Sequence, residues 1–353
     1  MLPFRRALLV GLAALAAGTA QAQGLDPKCL GGVLSLYVEN DLFYDTDRNY
    51  TSGVKLAWVS PDLDDYVRDR CLPDWVRPVN ERVRDFFALH LSPARERNMT
   101  ITLGQAMYTP GERRRADLVR EDRPFAGWLY LGLGYNERRR PLGAGLERLD
   151  SLEVNLGIVG PLALARQTQD AIHRLRGVDR FAGWANQLRN EPGVQVVAER
   201  KYRVPFASGA ADAIGYYGMS LGNVATYLNA GIELRAGTAI PEDFGSSPVR
   251  PAGNNTAPGS FPRDGKRRLR RGMHAFASLD LRAVARDIFL DGNTFRDSHS
   301  VKKESLVADV SFGVAAFAGG WKLSFGRVIR SREFAGQPSR HSYGSFTVSR
   351  DFD

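Results

Sequence analysis

Histidine is the side chain that titrates most readily near neutral pH, so the histidines bound the search for a general base. The sequence has five, which are His90, His173, His274, His299 and His341. His173 lies in a segment whose apolar residues recur at three- and four-residue spacing, which predicts a helix. Asp179 follows six residues later, beyond Gly177. The chain can fold back at this glycine and let the carboxylate orient the imidazole, which predicts a base that activates water.

Oxygen-bearing and basic side chains occur where neighbouring segments begin or end. Asn40 and Asp41 close the first predicted strand, Thr51 opens the second, and Arg115 ends a basic run at 113–115. A carboxylate–histidine pair beside a carboxylate-held hard cation suffices for hydrolysis of an ester, because the base activates water and the cation stabilises the oxyanion. The alternative interpretations are structural: a packed helix histidine, a capped turn, an ordinary strand threonine and a solvated arginine.

No competing catalytic motif is present in the sequence. It has no G-x-S-x-G nucleophile elbow, no H-E-x-x-H zinc motif, no P-loop and no EF-hand loop. Two short glycine repeats, at 132–134 and 143–145, lack the strand–helix context of a dinucleotide site. The segment around His173 is therefore the main candidate for chemistry.

The N-terminus predicts export. Residues 1–22 place Arg5 and Arg6 ahead of an apolar stretch and end in Ala20-Gln21-Ala22, a small-x-small sequence typical of a secretory signal peptide. Removal of this segment takes away two arginines and no acid, so the formal net charge of the mature chain, 23–353, falls from +9 to +7. For an exported basic protein we expect an anionic surface outside the inner membrane as partner, and no nucleic acid.

Cys29 and Cys71 are the only cysteines. Two thiols in an oxidising compartment can form one disulfide, and neither has a second cysteine at the spacing of a metal site. One structural bridge is the favoured interpretation, and two free buried thiols are the alternative.

Twelve short segments alternate between apolar and polar residues, a pattern typical of strands with one apolar face. Many are about ten residues long, which suits a tilted strand that crosses a bilayer. We therefore predict an all-β fold, a twelve-stranded antiparallel transmembrane β-barrel, with a soluble β-sandwich as the alternative. The segments are Val33–Asp41, Tyr50–Ser60, Asn98–Tyr108, Phe125–Asn136, Ser151–Val159, Val194–Val204, Ala213–Asn223, Thr226–Ala239, Met273–Arg286, Glu304–Phe317, Gly319–Arg330 and Ser342–Phe352.

Aromatic residues cluster near the ends of these segments. We expect them to form the girdles that such barrels place at the two membrane interfaces. They are Tyr37, Phe43, Tyr50, Trp58, Tyr108, Trp128, Tyr130, Tyr216, Tyr217 and Trp321.

Three segments interrupt the strand pattern. Residues 62–96 are charged and contain WVRPVNERVRDFFALHL, which predicts a short helix. Residues 160–193 form the main helical insert, which starts at Pro161 and stops at Gly177, with a second short helix near Trp184. Residues 241–271 are rich in glycine and proline and end in a basic run, which predicts a long mobile loop.

The connectivity of an up-and-down barrel sorts these segments between its two ends. With the N-terminus in the periplasm, the loops at 42–49, 109–124 and 160–193 face the cell exterior. The segment at 61–97 then faces the periplasm, on the same side as both cysteines.

Several strings carry a family resemblance. They are SLYVENDLFYDTDRNYTSGVKLAW (35–58), MYTPGERR (107–114), DRPFAGWLYLGLGY (122–135), LGIVGPLALARQTQDAIHRLRG (156–177) and ARDIFLDGNTF (285–295). Together they resemble the outer-membrane lipid A 3-O-deacylases over about residues 33–352. The resemblance implies a twelve-stranded barrel whose site lies between the barrel wall and a helix in an outward loop.

The same resemblance implies a calcium-dependent hydrolase that removes the 3-O-linked acyl chain of lipid A. By position, His173 matches the family's general base, and Asn40 and Asp41 match its N-D pair near the metal. Thr51 matches its Y-T-x-G threonine, which would position water or a metal-bound oxygen.

Two positions depart from the family pattern. Asp179 stands where the family has Glu, and it would orient His173 with a shorter side chain. Arg115 is nearest to a family Lys, and it would hold negative charge, although arginine and lysine are not equivalent.

The expected setting is therefore the bacterial outer membrane, with the site facing the cell exterior, lipopolysaccharide as substrate, Ca²⁺ as cofactor and a monomeric chain. An outer-membrane phospholipase is one alternative, but its His-x-Ser-Asn-Gly motif is missing, since Val301 follows His299-Ser300. A passive barrel or porin is a second alternative, and a family member with a degraded site is a third.

Overall fold

A computed structural model describes residues 29, 31–40, 49–86, 96–112, 114–139, 145–246 and 271–352. Twelve antiparallel strands close into a barrel in sequence order, with the first strand paired to the last. They are β1 (Val33–Asn40), β2 (Asn49–Val59), β3 (Glu96–Thr109), β4 (Ala126–Arg139), β5 (Glu147–Val159), β6 (Glu191–Phe206), β7 (Ala211–Gly222), β8 (Ala225–Gly237), β9 (Gly272–Asp287), β10 (Leu306–Ala318), β11 (Trp321–Arg330) and β12 (His341–Asp351). The predicted twelve-stranded barrel is confirmed, and every strand overlaps its predicted segment.

The two faces of the barrel wall differ in polarity in the way that a bilayer requires. Leu56, Leu103, Leu131 and Leu156 are paired in register across β2 to β5 and are all exposed on the outside. We call these four residues the leucine row. The inward positions carry buried charges instead, so the apolar face points away from the lumen. This arrangement is that of a transmembrane barrel and excludes the soluble sandwich.

Charged side chains fill the lumen in pairs. Asp212 accepts hydrogen bonds from Arg203 at 2.7 Å and from Arg235 at 2.6 Å. Asp309 likewise accepts from Arg282 at 2.7 Å and from Arg330 at 2.8 Å. A buried ion is tolerated only when it has such a partner, so these pairs allow a closely packed interior instead of a wide water-filled pore.

The predicted aromatic girdle is wrong for half of its members. Tyr37, Trp128, Tyr130 and Tyr216 are buried inside the barrel, and the Trp128 and Tyr130 rings stack with centroids 4.2 Å apart. Tyr108 also lies inside and stacks on Phe289. Strand alternation decides the face of a residue, and these rings stand at inward positions, where their volume fills the lumen.

Three short α-helices lie in the loops of the described part of the chain. They are α1 (Val76–Val83), α2 (Ala165–Arg176) and α3 (Ile288–Asp291). The stretch WVRPVNERVRDFFALHL contains a helix over Val76–Val83, and its residues 87–91 lie outside the described part of the chain. The helix predicted within 160–177 is present over Ala165–Arg176, and a 3-10 turn at Gly183–Asn186 corresponds to the predicted second short helix. Among the described residues, no helix is long and apolar enough to span a membrane.

The barrel has two distinguishable ends. We call the end at which β1 starts and β12 finishes the terminal end, and the opposite end the far end. The described segments at 60–86 and 238–246 lie at the terminal end, whereas those at 114–125 and 160–190 lie at the far end. The predicted sorting of loops between the two ends is confirmed.

A segment at the terminal end packs on the outside of the barrel. Leu63, Tyr66 and Leu72 join Val76 of α1 in a buried cluster with Met99 and Tyr135, which point outward from β3 and β4. The segment is further held by a disulfide between Cys29 and Cys71, whose Cα atoms are 4.9 Å apart. The predicted bridge is therefore present, and its two cysteines lie at the terminal end as expected.

The loop after β8 differs from its prediction. Residues 241–246 are not exposed but lie in the mouth of the barrel at the terminal end, where Phe244 packs against Leu149. Asp243 accepts hydrogen bonds from Arg235 and Lys322, and these two charges hold the segment in place. The remainder of this loop, 247–270, and the predicted signal peptide at 1–22 lie outside the described residues.

Candidate active site

One row of outward-facing residues crosses four neighbouring strands near the far end. Asn40 on β1 pairs with Ser52 on β2, Ser52 pairs with Met107 on β3, and Met107 pairs with Gly127 on β4. Residues paired in an antiparallel sheet share a face. We call these four residues the far-end row, and they form the floor on which the loop at 160–190 rests.

Helix α2 lies against this floor. Ala165 at its first turn packs in a buried cluster with Met107, Phe125, Phe181 and Trp184. The helix can approach so closely because the strand beneath it has no side chain at Gly127. A Cβ atom there would lie 2.5 Å from the Cβ of Ala165.

Backbone turns define both ends of α2. A 3-10 turn at Pro161–Ala163 leads to Leu164, whose φ of 59° is left-handed, so the α-helix begins at Ala165 and not at the proline. Gly177 ends the helix with a φ of 68°, as the sequence predicted. The chain then folds back along the helix toward Asp179.

His173 lies on the side of α2 that faces the barrel and is only 1% exposed. Its Nδ1 atom is 2.6 Å from the backbone carbonyl oxygen of Asp179. Because a carbonyl oxygen can only accept, the shared proton belongs to Nδ1, and in the neutral imidazole the lone pair is then on Nε2. This tautomer is the one that a general base needs.

The predicted role of the Asp179 carboxylate is wrong in its details. That carboxylate is 76% exposed and lies 3.7 Å from the guanidinium of Arg114. The turn at Gly177 brings the main chain of Asp179, and not its side chain, to the imidazole. The atom of Asp179 that contacts His173 is a backbone oxygen, which any residue would supply.

Gln169 is a polar residue of the site that the sequence argument missed. It lies one turn before His173 on the same face of α2 and is 2% exposed. Its Oε1 atom accepts a hydrogen bond of 2.7 Å from Nε1 of Trp184. Its Nε2 atom has no hydrogen-bond partner within the described residues. A buried donor without a partner is energetically unfavourable, so this amide N–H is a candidate to donate to a bound ligand.

Arg115 does not reach toward His173. Its guanidinium donates a 2.6 Å hydrogen bond to Asp117, which raises the pKa of Arg115 and lowers the pKa of Asp117. The neighbouring backbone supports the loop instead, since Asn186 donates a 2.8 Å hydrogen bond to the carbonyl of Ala116. The structure therefore brings His173, Gln169 and the backbone of Asp179 together, and leaves the Arg115 side chain outside this group.

The residues expected to hold a cation are only partly described. Asn40 ends β1 as a half-buried member of the far-end row, but Asp41 and the side chain of Thr51 lie outside the described residues. The described part of the chain contains no group of three or more His, Cys, Asp or Glu residues that could hold a metal ion. The described floor therefore offers neutral oxygen donors from Asn40 and Ser52, while the expected anionic ligand is Asp41.

Fold and site together define a class: a transmembrane β-barrel that carries a buried histidine between its outer wall and a loop helix. Residues 8–352 match the family model described as "Outer membrane protein LpxR". Because the match spans almost the whole chain, the protein belongs to the LpxR family of outer membrane proteins.

One solved structure in particular shares this fold. LpxR from Salmonella typhimurium is 18% identical, the match covers 90% of this chain and 99% of that chain, and the TM-score is 0.67. The translocator domain of the autotransporter NalP from Neisseria meningitidis is 11% identical, with 100% and 99% coverage, and the β domain of the Bordetella autotransporter BrkA is 9% identical, with 92% and 99% coverage. Their TM-scores are 0.39 and 0.44, so these two barrels superpose poorly on this one. Among curated proteins, none matches the chain by sequence.

Proposed function

We propose that this protein is a lipid A 3-O-deacylase, a hydrolase that releases the 3-O-linked acyl chain of lipid A in the outer leaflet of the outer membrane. The observation that carries the proposal is the buried His173 on the barrel-facing side of α2, whose Nδ1 lies 2.6 Å from the Asp179 carbonyl oxygen and is thereby oriented. Family membership and the resemblance to lipid A deacylases support it. A lipid ester at the membrane surface is a substrate that can reach a site on the outer wall.

In the proposed reaction, Nε2 of His173 takes a proton from water as that water attacks the acyl carbonyl carbon. The amide of Gln169 donates a hydrogen bond to the oxyanion that forms. Collapse of the tetrahedral intermediate breaks the bond between the acyl carbon and the 3-oxygen, and His173 returns its proton to that oxygen. The products are a free fatty acid and a lipid A with a 3-hydroxyl group.

Calcium belongs to the proposal as a cofactor. Asn40 and Asp41 would hold it, and a bound Ca²⁺ would supply Lewis-acid stabilisation of negative charge at the acyl carbonyl. Oxygen donors are the ligands that this hard cation prefers, and Asn40 of the far-end row offers one.

The surface of the loop at 160–190 suits an amphiphile with phosphate groups. Its exposed arginines are Arg166, Arg174, Arg180 and Arg189, and its exposed apolar side chains are Leu162, Leu164 and Leu175. Arginine binds phosphate well, and contact with an acyl chain is favourable for leucine because it removes apolar surface from water. In the proposed orientation the far end faces the cell exterior, where lipid A presents both groups.

Mass spectrometry of lipid A from cells that express the chain tests the proposal. We expect wild type to remove one 3-O-acyl chain, a chelator to abolish this activity, and excess Ca²⁺ to restore it. His173→Gln keeps a polar side chain of similar reach but removes the base, and we expect no deacylation above background.

Insertion of each variant must be checked, because an unfolded barrel is also inactive. A folded barrel changes its mobility on a gel when it is heated, which gives that control. Unchanged lipid A from a correctly inserted wild-type barrel in the presence of Ca²⁺ would refute the proposed function. Full activity of His173→Gln would keep the enzyme but remove His173 as its base.

A further inference from the structure

Two separate elements cover the outside of β3, one near each end of the strand. At the far end, Met107 is covered by α2 and its loop. At the terminal end, Met99 is covered by α1 and the segment before it. Between them Leu103 stays 54% exposed, as do its partners in the leucine row. The wall of β3 is thus bare only in its middle.

The distance between the two elements matches the thickness of a bilayer. Met99 and Met107 are eight residues apart on one strand. At about 3.3 Å per residue and a tilt of about 40°, this is roughly 20 Å along the membrane normal. The apolar band of outer-membrane barrels is about 25 Å tall. The segment around α1 therefore lies at the height where the hydrocarbon of one leaflet gives way to its headgroups.

Helix α1 presents two faces at this height. Leu72, Val76 and Asn80 recur at four-residue spacing and are buried against the barrel. Trp75 and Val79, also four residues apart, face away from it, and Trp75 is 49% exposed within the described residues. Phe86 continues that outward stripe after the helix and is 84% exposed. Large apolar side chains that project outward beside a lipid-facing wall are typical of contact with lipid.

We propose that the outward face of α1, made by Trp75, Val79 and Phe86, inserts into the phospholipid leaflet at the terminal end and anchors the barrel at a fixed depth. In the orientation proposed above, that leaflet is the periplasmic one. The anchor is a lipid-binding surface separate from the site around His173. It does not depend on the proposed deacylase activity.

The charges of the segment identify the kind of lipid. Residues 60–86 contain seven acidic and five basic side chains. This balance gives no net attraction to an anionic surface, so the matching partner is a zwitterionic phospholipid. Arg82 lies on the outward stripe, and its long side chain can reach the phosphates while its methylene groups stay in apolar surroundings.

The segment is held firmly enough to act as an anchor. Asn80 receives a 2.8 Å hydrogen bond from the hydroxyl of Tyr135 on β4. The hydroxyl of Tyr66 donates a 2.7 Å hydrogen bond to the carbonyl of Asn136 on the same strand. Together with the disulfide from Cys71, these bonds join α1 to the barrel wall, so the depth of α1 in the membrane sets the depth of the barrel.

Tryptophan fluorescence in zwitterionic liposomes tests the anchor. The difference in emission between the full-length wild-type barrel and Trp75→Phe isolates the signal of Trp75. We expect the emission of Trp75 to be blue-shifted. Phospholipids brominated near the glycerol should quench it several-fold more strongly than phospholipids brominated at the chain ends. Acrylamide in the water phase should quench it weakly.

Two other tryptophans supply matched controls, because the emission of each is also obtained as the difference between wild type and the Trp→Phe variant. Trp58→Phe reports an outward, partly exposed side chain of the barrel wall, and Trp184→Phe reports a ring buried under α2. Strong quenching of Trp75 by acrylamide would overturn the proposal, because the side chain would face water. Quenching by neither agent, as for Trp184, would also overturn it, because the face would be covered by protein. If brominated phospholipids quenched Trp75 more strongly in anionic liposomes than in zwitterionic liposomes, the assigned lipid class would be refuted.

Discussion

At the residue scale, the two polar atoms of the Gln169 amide have different surroundings: Oε1 has a hydrogen-bond partner among the described residues, and Nε2 has none. Trp184 is a donor only, so its hydrogen bond fixes Oε1 of the amide on the side of the indole. The donor Nε2 must then point the other way. Trp184 is thus a positioning residue for Gln169, and through it for the oxyanion of the proposed reaction.

Replacement of Trp184 by Phe removes the indole N–H and keeps most of the ring in the cluster around Phe125. Loss of one buried hydrogen bond amounts to about 1–2 kcal/mol, so we expect the rate constant kcat for deacylation to fall by roughly tenfold while KM changes little. Steady-state kinetics on purified lipid A provide the measurement. Trp321→Phe, at the terminal end of the barrel, is the matched control and should leave both constants unchanged.

Gln169→Glu separates orientation from donation. A carboxylate still accepts from Trp184 but cannot donate to an oxyanion, so kcat should fall further than in Trp184→Phe. If Trp184→Phe kept the wild-type kcat, the indole would have only a packing role.

The sequence predicted His173 and Gly177 because local spacing defines both. It placed the orienting group on the wrong atom of Asp179, since a carboxylate and a carbonyl of one residue are indistinguishable before the turn is known. Gln169 stood in the Q-x-x-x-H string, but its partner Trp184 is 15 residues away, and only the tertiary contact gives the amide a direction.

At the scale of elements, the close packing of α2 on the barrel wall depends on Gly127, a position of β4 that has no side chain. A Cβ atom at Gly127 would lie 2.5 Å from the Cβ of Ala165 and 3.2 Å from that of Ala163. Both neighbours are anchored close to the backbone and cannot rotate away. The helix must therefore move if this glycine is replaced.

Gly127→Ala should lift α2 from the wall and lower deacylation while the barrel itself still folds. Overpacking of this size amounts to about 1–3 kcal/mol, which is enough to shift a loop but small for a closed barrel. The activity assay and hydrogen exchange of residues 161–188 measure the two effects. Gly215→Ala is the matched control, because nothing lies within 4 Å of a Cβ atom there. Wild-type exchange in the loop of Gly127→Ala would show that the helix tolerates the methyl group.

Strands and helices were accessible from the sequence to different degrees. Alternation located all twelve strands, although β5 and β6 extend several residues beyond their predicted ends because pairing continues past the apolar stretch. The start of α2 was misplaced, since Pro161 begins only a 3-10 turn and the left-handed Leu164 delays the α-helix. Which face of each strand carried an aromatic ring was decided by register, which no local pattern defines.

At the scale of the whole molecule, residues 241–246 fill the terminal mouth of a barrel whose lumen is lined with charges. Two polar contacts of Ser246 add to the pairs of Asp243. The backbone N–H of Ser246 donates a 2.7 Å hydrogen bond to Glu233, and its hydroxyl lies 2.6 Å from Nε2 of His274. The sequence predicted a mobile loop at 241–271 because the segment is long and has a basic end. Its first residues are instead held by charged side chains on β8 and β11, Arg235 and Lys322.

Asp243 is the group on which this closure depends. Burial alone would raise its pKa, but the charges of Lys322 and Arg235 outweigh burial and hold the pKa of Asp243 below its ordinary value. A carboxyl group with a depressed pKa contributes stability above its unfolded pKa of about 3.9, and that contribution is lost as the pH falls through the folded value. The segment should thus stay in place at neutral and mildly acidic pH.

Asp243→Asn should open the barrel at neutral pH. The variant removes the carboxylate that Arg235 and Lys322 share, while Arg235 keeps its pair with Asp212. Loss of hydrogen bonds to a charged group amounts to about 1.5–3 kcal/mol. We expect wild-type barrels in planar bilayers to conduct little from neutral pH down to about 5 and the variant to conduct steadily over that range. Glu242→Gln, at the more exposed neighbouring acid, is the control and should stay closed. An equally tight Asp243→Asn barrel would mean that the paired charges deeper in the lumen, and not this segment, block the passage of ions.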